Sequence, residues 1–201
     1  MTELSVLQAV RLKGRVSPAD LAKTLCTDDA HVAEMVRRLA ADGLLVAGDT
    51  LRITPEGRAQ LVELLAAERR DADPATLAAA YDEFRSINGE FKALVTDWQL
   101  KDGQPNSHED LDYDGAVLAR LDDVHQRVIS IAATVTAQLP RLSGYPAKLS
   151  AALDRVKAGE IPWLTRPLID SYHTVWFELH EELILAVGLT REQAARSGDA
   201  Q

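Results

Sequence analysis

The chain has one cysteine, Cys26, among its 201 residues, so no internal disulfide can staple it. It has no apolar run long enough to span a bilayer, and its first residues lack the pattern of a signal peptide. The cytoplasm is the expected location, and a membrane is not an expected partner. Aromatic side chains are few and unevenly placed: all ten fall between Tyr81 and Phe177. There is no Gly-rich phosphate loop and no nucleophile elbow, and His180-Glu181-Glu182 lacks a second histidine at metalloprotease spacing. Neither catalytic residues nor a bound cofactor are expected. Positive charge is scarce too. Residues 1–70 balance ten basic against ten acidic groups, and the remainder, with twelve against twenty-one, carries the whole net charge of −9. DNA affinity rests on neutralising phosphates, so any such contact must come from a few well-placed arginines.

What is present begins with residues 17–58. Ser17 can cap a helix, Pro18 suits its first position, and Asp20 sits where a capping-box acid reaches back. Leu21 and Leu25 give that helix a buried stripe. A turn follows at Leu25 to Thr27, where Cys26 is expected to fill a small core position. Thr27 can cap the next helix, in which Val32, Val36 and Leu39 follow helical spacing. Gly43 supplies a left-handed stop, and Leu44-Leu45-Val46 then changes to the period of a strand. Gly48-Asp49 can turn the chain back into Leu51-Arg52-Ile53, and Thr54-Pro55 starts another helix.

The order helix, turn, helix, hairpin, helix, closed by Thr54-Pro55-Glu56-Gly57-Arg58, resembles the winged helix-turn-helix domains of MarR-type and related bacterial transcriptional regulators. The resemblance covers about residues 4 to 68. It implies double-stranded DNA as a partner, with the second helix of the motif entering the major groove. Thr27, His31, Arg37 and Arg38 are then the candidate contacts on that helix, and Arg52 is the candidate on the returning wing strand. Asp28 and Asp29 suit the helix dipole but repel a phosphate docking at the same place. A symmetric dimer can gather Arg37, Arg38, Arg52 and Arg58 on one face.

The aromatic break and the length predict two domains, 1–70 and 71–201. Asp73 looks like a cap with Pro74 at the first position of a helix. Beyond it the apolar spacing is helical throughout. One stripe runs from Leu77 to Trp98, and a second from Val117 to Leu139. A third, shorter helix uses Leu142 to Val156, and a fourth, with Leu168 in its stripe, begins between Pro162 and Pro167 and runs to about Val187. The fourth is apolar over most of its circumference, which marks a helix central in its bundle. The expected fold is therefore mainly α: a winged helix-turn-helix of three helices and a short β-hairpin, followed by an all-helical bundle. Lys101 to Asp110 reads as a long polar loop, and Ser197 to Gln201 as a frayed tail.

Two patterns point towards metal. Asp110-Leu111-Asp112-Tyr113-Asp114-Gly115 copies the opening of a calcium-binding EF-hand loop, but Leu121 stands where the bidentate glutamate belongs. His173 and His180 share a helix face, with His125 on the inner side of another helix. The stretch Leu149 to His173 is similar to the end of the helical ligand domain of GntR-class regulators, which implies Asp and His metal ligands. Arg85 and Asn88 occupy the place of one such histidine, so no metal is expected here. A small-molecule site is the alternative use of these residues: Trp98, Tyr172 and Trp176 as apolar walls, with His125, His173 and His180 as polar groups. The second half is also similar to actinobacterial regulator-like proteins, through Thr96-Asp97-Trp98-Gln99-Leu100 and the segment from Ser171 to His180. The sequence thus leads to a homodimeric DNA-binding transcriptional regulator with a small-molecule effector. A protein-interaction module built on the neutral winged helix is the alternative, together with a metal-dependent GntR-like sensor.

Overall fold

The computed structural model describes residues 1–196; the tail from Ser197 to Gln201 lies outside the described residues. The chain is mainly helical and divides into two compact units, Met1–Asp71 and Ala72–Gln201.

The first unit contains α1 (Glu3–Lys13), α2 (Pro18–Thr24), α3 (Asp29–Ala41), the two-residue strands β1 (Leu45–Val46) and β2 (Arg52–Ile53), and α4 (Pro55–Arg70). Ser17 caps α2: its hydroxyl oxygen accepts from the Asp20 backbone N–H at 3.1 Å and donates to the Asp20 carboxylate at 2.8 Å. The α2 helix closes through two backbone bonds, Cys26 N–H to Lys23 O and Thr27 N–H to Ala22 O. That pair is a Schellman closure, and it forces Cys26 into a left-handed conformation, φ +49°. The geometry turns the side chain outwards, so Cys26 is exposed rather than placed in the core. Leu25 is only half-buried. Thr27 is not the cap of α3 either. Asp28 takes that place, accepting from the His31 N–H at 2.9 Å, because α3 starts at Asp29 and its third residue, His31, is in reach of Asp28.

A second Schellman closure ends α3 at Gly43, φ +75°, with Leu44 N–H bonded to Leu39 O. The strands β1 and β2 pair antiparallel, Leu45 opposite Ile53 and Val46 opposite Arg52. One further bridge joins Val16 to Leu51. Thr54 then ties hairpin to helix. Its hydroxyl oxygen accepts from Gly57 N–H at 2.9 Å, capping α4, while its proton is shared between Gly43 O and Leu44 O. Gly57 is required by close approach, since a Cβ there would lie 2.1 Å from the Leu44 carbonyl oxygen. Leu7, Val10, Leu21, Leu39, Leu51 and Leu61 form the centre of this unit.

The second unit is dominated by α5 (Pro74–Gln99) and α6 (Leu111–Gln138). Asp73 caps α5 through Ala75 N–H and Thr76 N–H. The two helices lie antiparallel, since Glu90 meets Arg127, Asp97 meets Arg120, and Tyr113 reaches the Leu100 carbonyl. The polar loop between them is irregular only over residues 106–110. It holds a second hairpin, β3 (Leu100–Lys101) with β4 (Gln104–Pro105), turned by Asp102 and Gly103 in left-handed conformations. The second unit is therefore not purely helical. A short 3-10 turn, Pro140–Leu142, leads to α7 (Tyr145–Lys157), α8 (Pro162–Thr165), α9 (Tyr172–Ala186) and α10 (Arg191–Arg196).

The fourth helix expected from Pro162–Pro167 to Val187 is two separate helices, α8 and α9. Pro167 disfavours helical geometry at Arg166, which is extended at ψ 125°. Leu168 then adopts φ +68° with its side chain fully exposed, and so leaves the apolar stripe. The helix restarts only where Ser171 caps α9 through Thr174 N–H. No helix among the described residues is long and apolar enough to cross a membrane.

Candidate functional site

In the first unit the core face of α3 is sealed by Val32, Val36 and Leu39, while Ala30, Ala33, Glu34 and Arg37 are exposed. Arg37 is paired with Glu34 one turn back. Arg38 is also exposed, but it lies on the flank of α3 with His31, seven residues and two turns away. There it pairs with Glu3 of α1 at 3.3 Å, whose other oxygen accepts from Gln60 of α4. His31 stands over its own cap, Nδ1 2.6 Å from Asp28. The His31 backbone N–H first, and its ring second, hold the Asp28 carboxyl below its usual range. Thr27 is half-buried in the turn, and Arg52 is exposed on β2 with no ion-pair partner among the described residues. The helix and the hairpin each supply arginine, then, but two of the three arginines are already held by glutamates.

In the second unit α9 organises a chain of ring contacts. Its first member is His125 of α6, whose Nδ1 lies 3.1 Å from the Tyr172 hydroxyl. Tyr172 packs on Phe91 of α5, and Trp176 stacks on the same ring with centroids 4.1 Å apart. Trp176 Nε1–H donates to Asn88 Oδ1 at 2.9 Å. Phe84 follows one turn along, meeting Trp176 at 4.9 Å and His180 at 5.2 Å. His173 is exposed at one edge and turns the other towards Phe91. Burial lowers the pKa of both His125 and His173, and raises that of Tyr172.

Five of the six residues expected to line a small-molecule site are thus near or on α9. Trp98 is not with them. Its ring faces His108 at 4.5 Å, and it belongs to a polar cluster at the other end of α5. There Asp114 accepts from His108 Nδ1 at 2.9 Å and from Asn106 Nδ2 at 2.8 Å, and Asn106 Nδ2 also reaches the Trp98 carbonyl. The cluster fastens the β3–β4 loop across the end of the α5–α6 pair. It also shows why the EF-hand pattern holds no loop. The α6 helix has begun at Leu111, Asp110 is its cap and pairs with Lys101, and Asp114 is buried and committed to His108. Asp114 lies three residues before Val117, on the core side of the same stripe. That spacing was the available signal for it.

Three acids of α9 are buried. Glu178 is 3%, Glu181 6% and Glu182 3% exposed. Arg141 from the 3-10 turn bonds Glu182 at 2.7 Å, and Arg191 of α10 bonds Glu181 at 2.8 Å. The Tyr145 hydroxyl lies 3.4 Å from the same Glu182 oxygen. Burial and the Glu182 and Glu178 charges push the Tyr145 pKa well up, which keeps the phenol neutral. Among the described residues, no three His, Cys, Asp or Glu side chains are grouped so as to hold a metal ion. His173 and His180 are two turns apart, about 10 Å along the helix axis.

Comparison with models of protein families, with curated proteins and with solved structures finds no match to this chain.

Proposed function

We propose that the chain is a DNA-binding transcriptional regulator whose first unit is a winged helix-turn-helix and which acts as a homodimer. The observation that carries this reading is the α2–turn–α3 pair. Its recognition-type helix has a sealed inner face and a fully exposed outer one, beside a hairpin whose Arg52 is unpaired among the described residues. The Val16–Leu51 bridge supports it as well, since it adds a third extended segment to the hairpin between α1 and α2. A thirteen-residue helix is about 20 Å long, enough to lie in a major groove about 12 Å wide. Arg37 exchanges Glu34 for a phosphate or a guanine edge, and Arg52 contacts the backbone.

With a net charge of zero over residues 1–70, one such head binds weakly, and two linked heads gain through effective concentration. In this reading the second unit pairs the subunits and takes up a small-molecule effector. An effector site on α9 would require the packed rings of Tyr172 and Trp176 to part, and it would exclude Trp98. His173, the one partly exposed histidine of the set, is its accessible edge.

A protein-interaction module is the second reading, favoured by the acids around α3: Asp28 and Asp29 at its leading end, Glu34 on Arg37 and Glu3 on Arg38. Retention of genomic DNA fragments by the full chain, followed by gel shifts at two salt concentrations, separates the two. For a regulator, Arg37→Ala with Arg52→Ala weakens binding and lowers the salt slope by about 1 for each phosphate no longer neutralised. Arg38→Ala has the smaller effect. Retention no better than for random fragments leaves the interaction module.

A further inference from the structure

One hydrogen-bonded chain joins three helices at the centre of the second unit, and it runs through an imidazole. His125 of α6 is buried, with Nδ1 3.1 Å from the Tyr172 hydroxyl of α9 and Nε2 3.4 Å from Ser150 Oγ of α7. The Tyr172 side chain is sealed, at 0% exposure, with its ring against Phe91 of α5. Among the described residues the Tyr172 hydroxyl has no other hydrogen-bond partner. The charged groups that face His125 are Asp122 of α6 and Asp154 and Lys157 of α7, and Lys157 is itself bonded to Asp122 at 2.6 Å. From α9 only the neutral phenol of Tyr172 faces it.

A neutral imidazole satisfies this arrangement, because one nitrogen donates, the other accepts, and each hydroxyl can take the complementary role. An imidazolium donates at both nitrogens. Both hydroxyls must then turn their own protons away from the ring. Ser150 is only half-buried and can turn its proton towards solvent, whereas Tyr172 has nowhere inside the core to place it. We propose that His125 is an acid-operated release for the second unit: its protonation drives the Tyr172 hydroxyl from its seat and loosens α7 and α9 from α6.

The electrostatics act in the same direction. Desolvation is the largest influence on His125 and disfavours its charged form; Lys157 adds to that, while Asp122 and Asp154 oppose it. The folded-state pKa therefore lies below the unfolded value of about 6.5. The unfolded chain takes up a proton that the folded chain refuses, so the stability contributed by this site is present above about pH 6.5 and is lost as pH falls below it.

The test is a pH titration of the full chain from about pH 8 to about pH 5, bracketing the free-histidine value. Histidine ring signals are followed by NMR, and thermal melts by tryptophan fluorescence. In the wild type, the His125 signal is expected to titrate below the free-histidine value, together with displacement of the Tyr172 and Trp176 signals. The fluorescence melting temperature should fall over the same range, and His125→Gln should remove about half or more of that fall. His173→Gln, altering another desolvated imidazole, should keep most of it. The proposal is overturned if His125→Gln retains the wild-type pH slope. It is equally overturned if the wild-type His125 signal titrates while the Tyr172 and Trp176 signals stay in place, a result that needs no variant to fold.

Discussion

Gly57 shows how much one residue can decide. It is the fourth residue of the Thr54-Pro55-Glu56-Gly57-Arg58 closure, and the hairpin carbonyl of Leu44 lies where its side chain would be. Overpacking of this kind costs about 1–3 kcal/mol, and a backbone oxygen cannot swing aside as a side chain would. Gly57→Ala is therefore expected to destabilise the first unit by at least about 2 kcal/mol, read from the urea midpoint by far-UV circular dichroism. The cap of α3 gives a second decision at this scale. Asp28→Ala removes the acceptor of the His31 N–H and should lower the urea midpoint of the first unit. Thr27→Ala leaves that bond intact and should lower it clearly less. If the two changes shift the midpoint equally, or in the reverse order, the assignment of Asp28 as the cap is wrong.

At the scale of the element, α9 carries its acids inside the core. Arg141 is 10% and Glu182 3% exposed as side chains, so the pair is bonded away from most of the solvent. Breaking such a pair from one side strands a buried charge, at about 3–5 kcal/mol, whereas replacing both partners by apolar groups is close to neutral. Arg141→Met is thus expected to destabilise the second unit strongly, and adding Glu182→Leu to restore most of the loss. Denaturant titrations of the two variants measure the recovery, and no recovery would mean that Arg141 acts mainly through its packing. Much of this element was legible in the sequence. The apolar circumference of residues 172–187 already marked a central helix, but the burial of its acids was not legible, since Glu182 and Glu181 are held by Arg141 and Arg191 from outside it. Asp73 and Ser17 announced their caps, and the α5 and α6 stripes announced two long helices, because capping and period are local properties. What was not legible depends on distant partners. The fastening of Asp114 by His108 needs a loop to fold back across α5, and the seating of Trp98 there, away from Trp176, follows from it. The break after α8 was signalled by Pro167, but periodicity across Leu168 outweighed it.

Across the whole molecule the uneven use of aromatic residues becomes an instrument. The unit Met1–Asp71 contains no Phe, Tyr or Trp, so intrinsic fluorescence reports only on residues after it, while far-UV circular dichroism reports helices in both units. A substitution that weakens only the first unit should therefore separate the two signals. Gly57→Ala is the chosen perturbation, because the atoms it disturbs, Leu44 O and Ile53 Cγ1, both belong to that unit. For a domain of this size, 1 kcal/mol corresponds to roughly 4–8 °C, so the loss of about 2 kcal/mol should bring roughly 8–16 °C of earlier melting. The dichroism melt is expected to gain an early step of that displacement, while the tryptophan midpoint stays where it is in the wild type. Arg141→Met should do the reverse, lowering the tryptophan midpoint, since Arg141 and Glu182 both lie in the second unit. If Gly57→Ala drags the tryptophan midpoint down with the dichroism, the chain unfolds as one cooperative block, and the separate stability of the unit carrying Arg37 and Arg52 has to be given up.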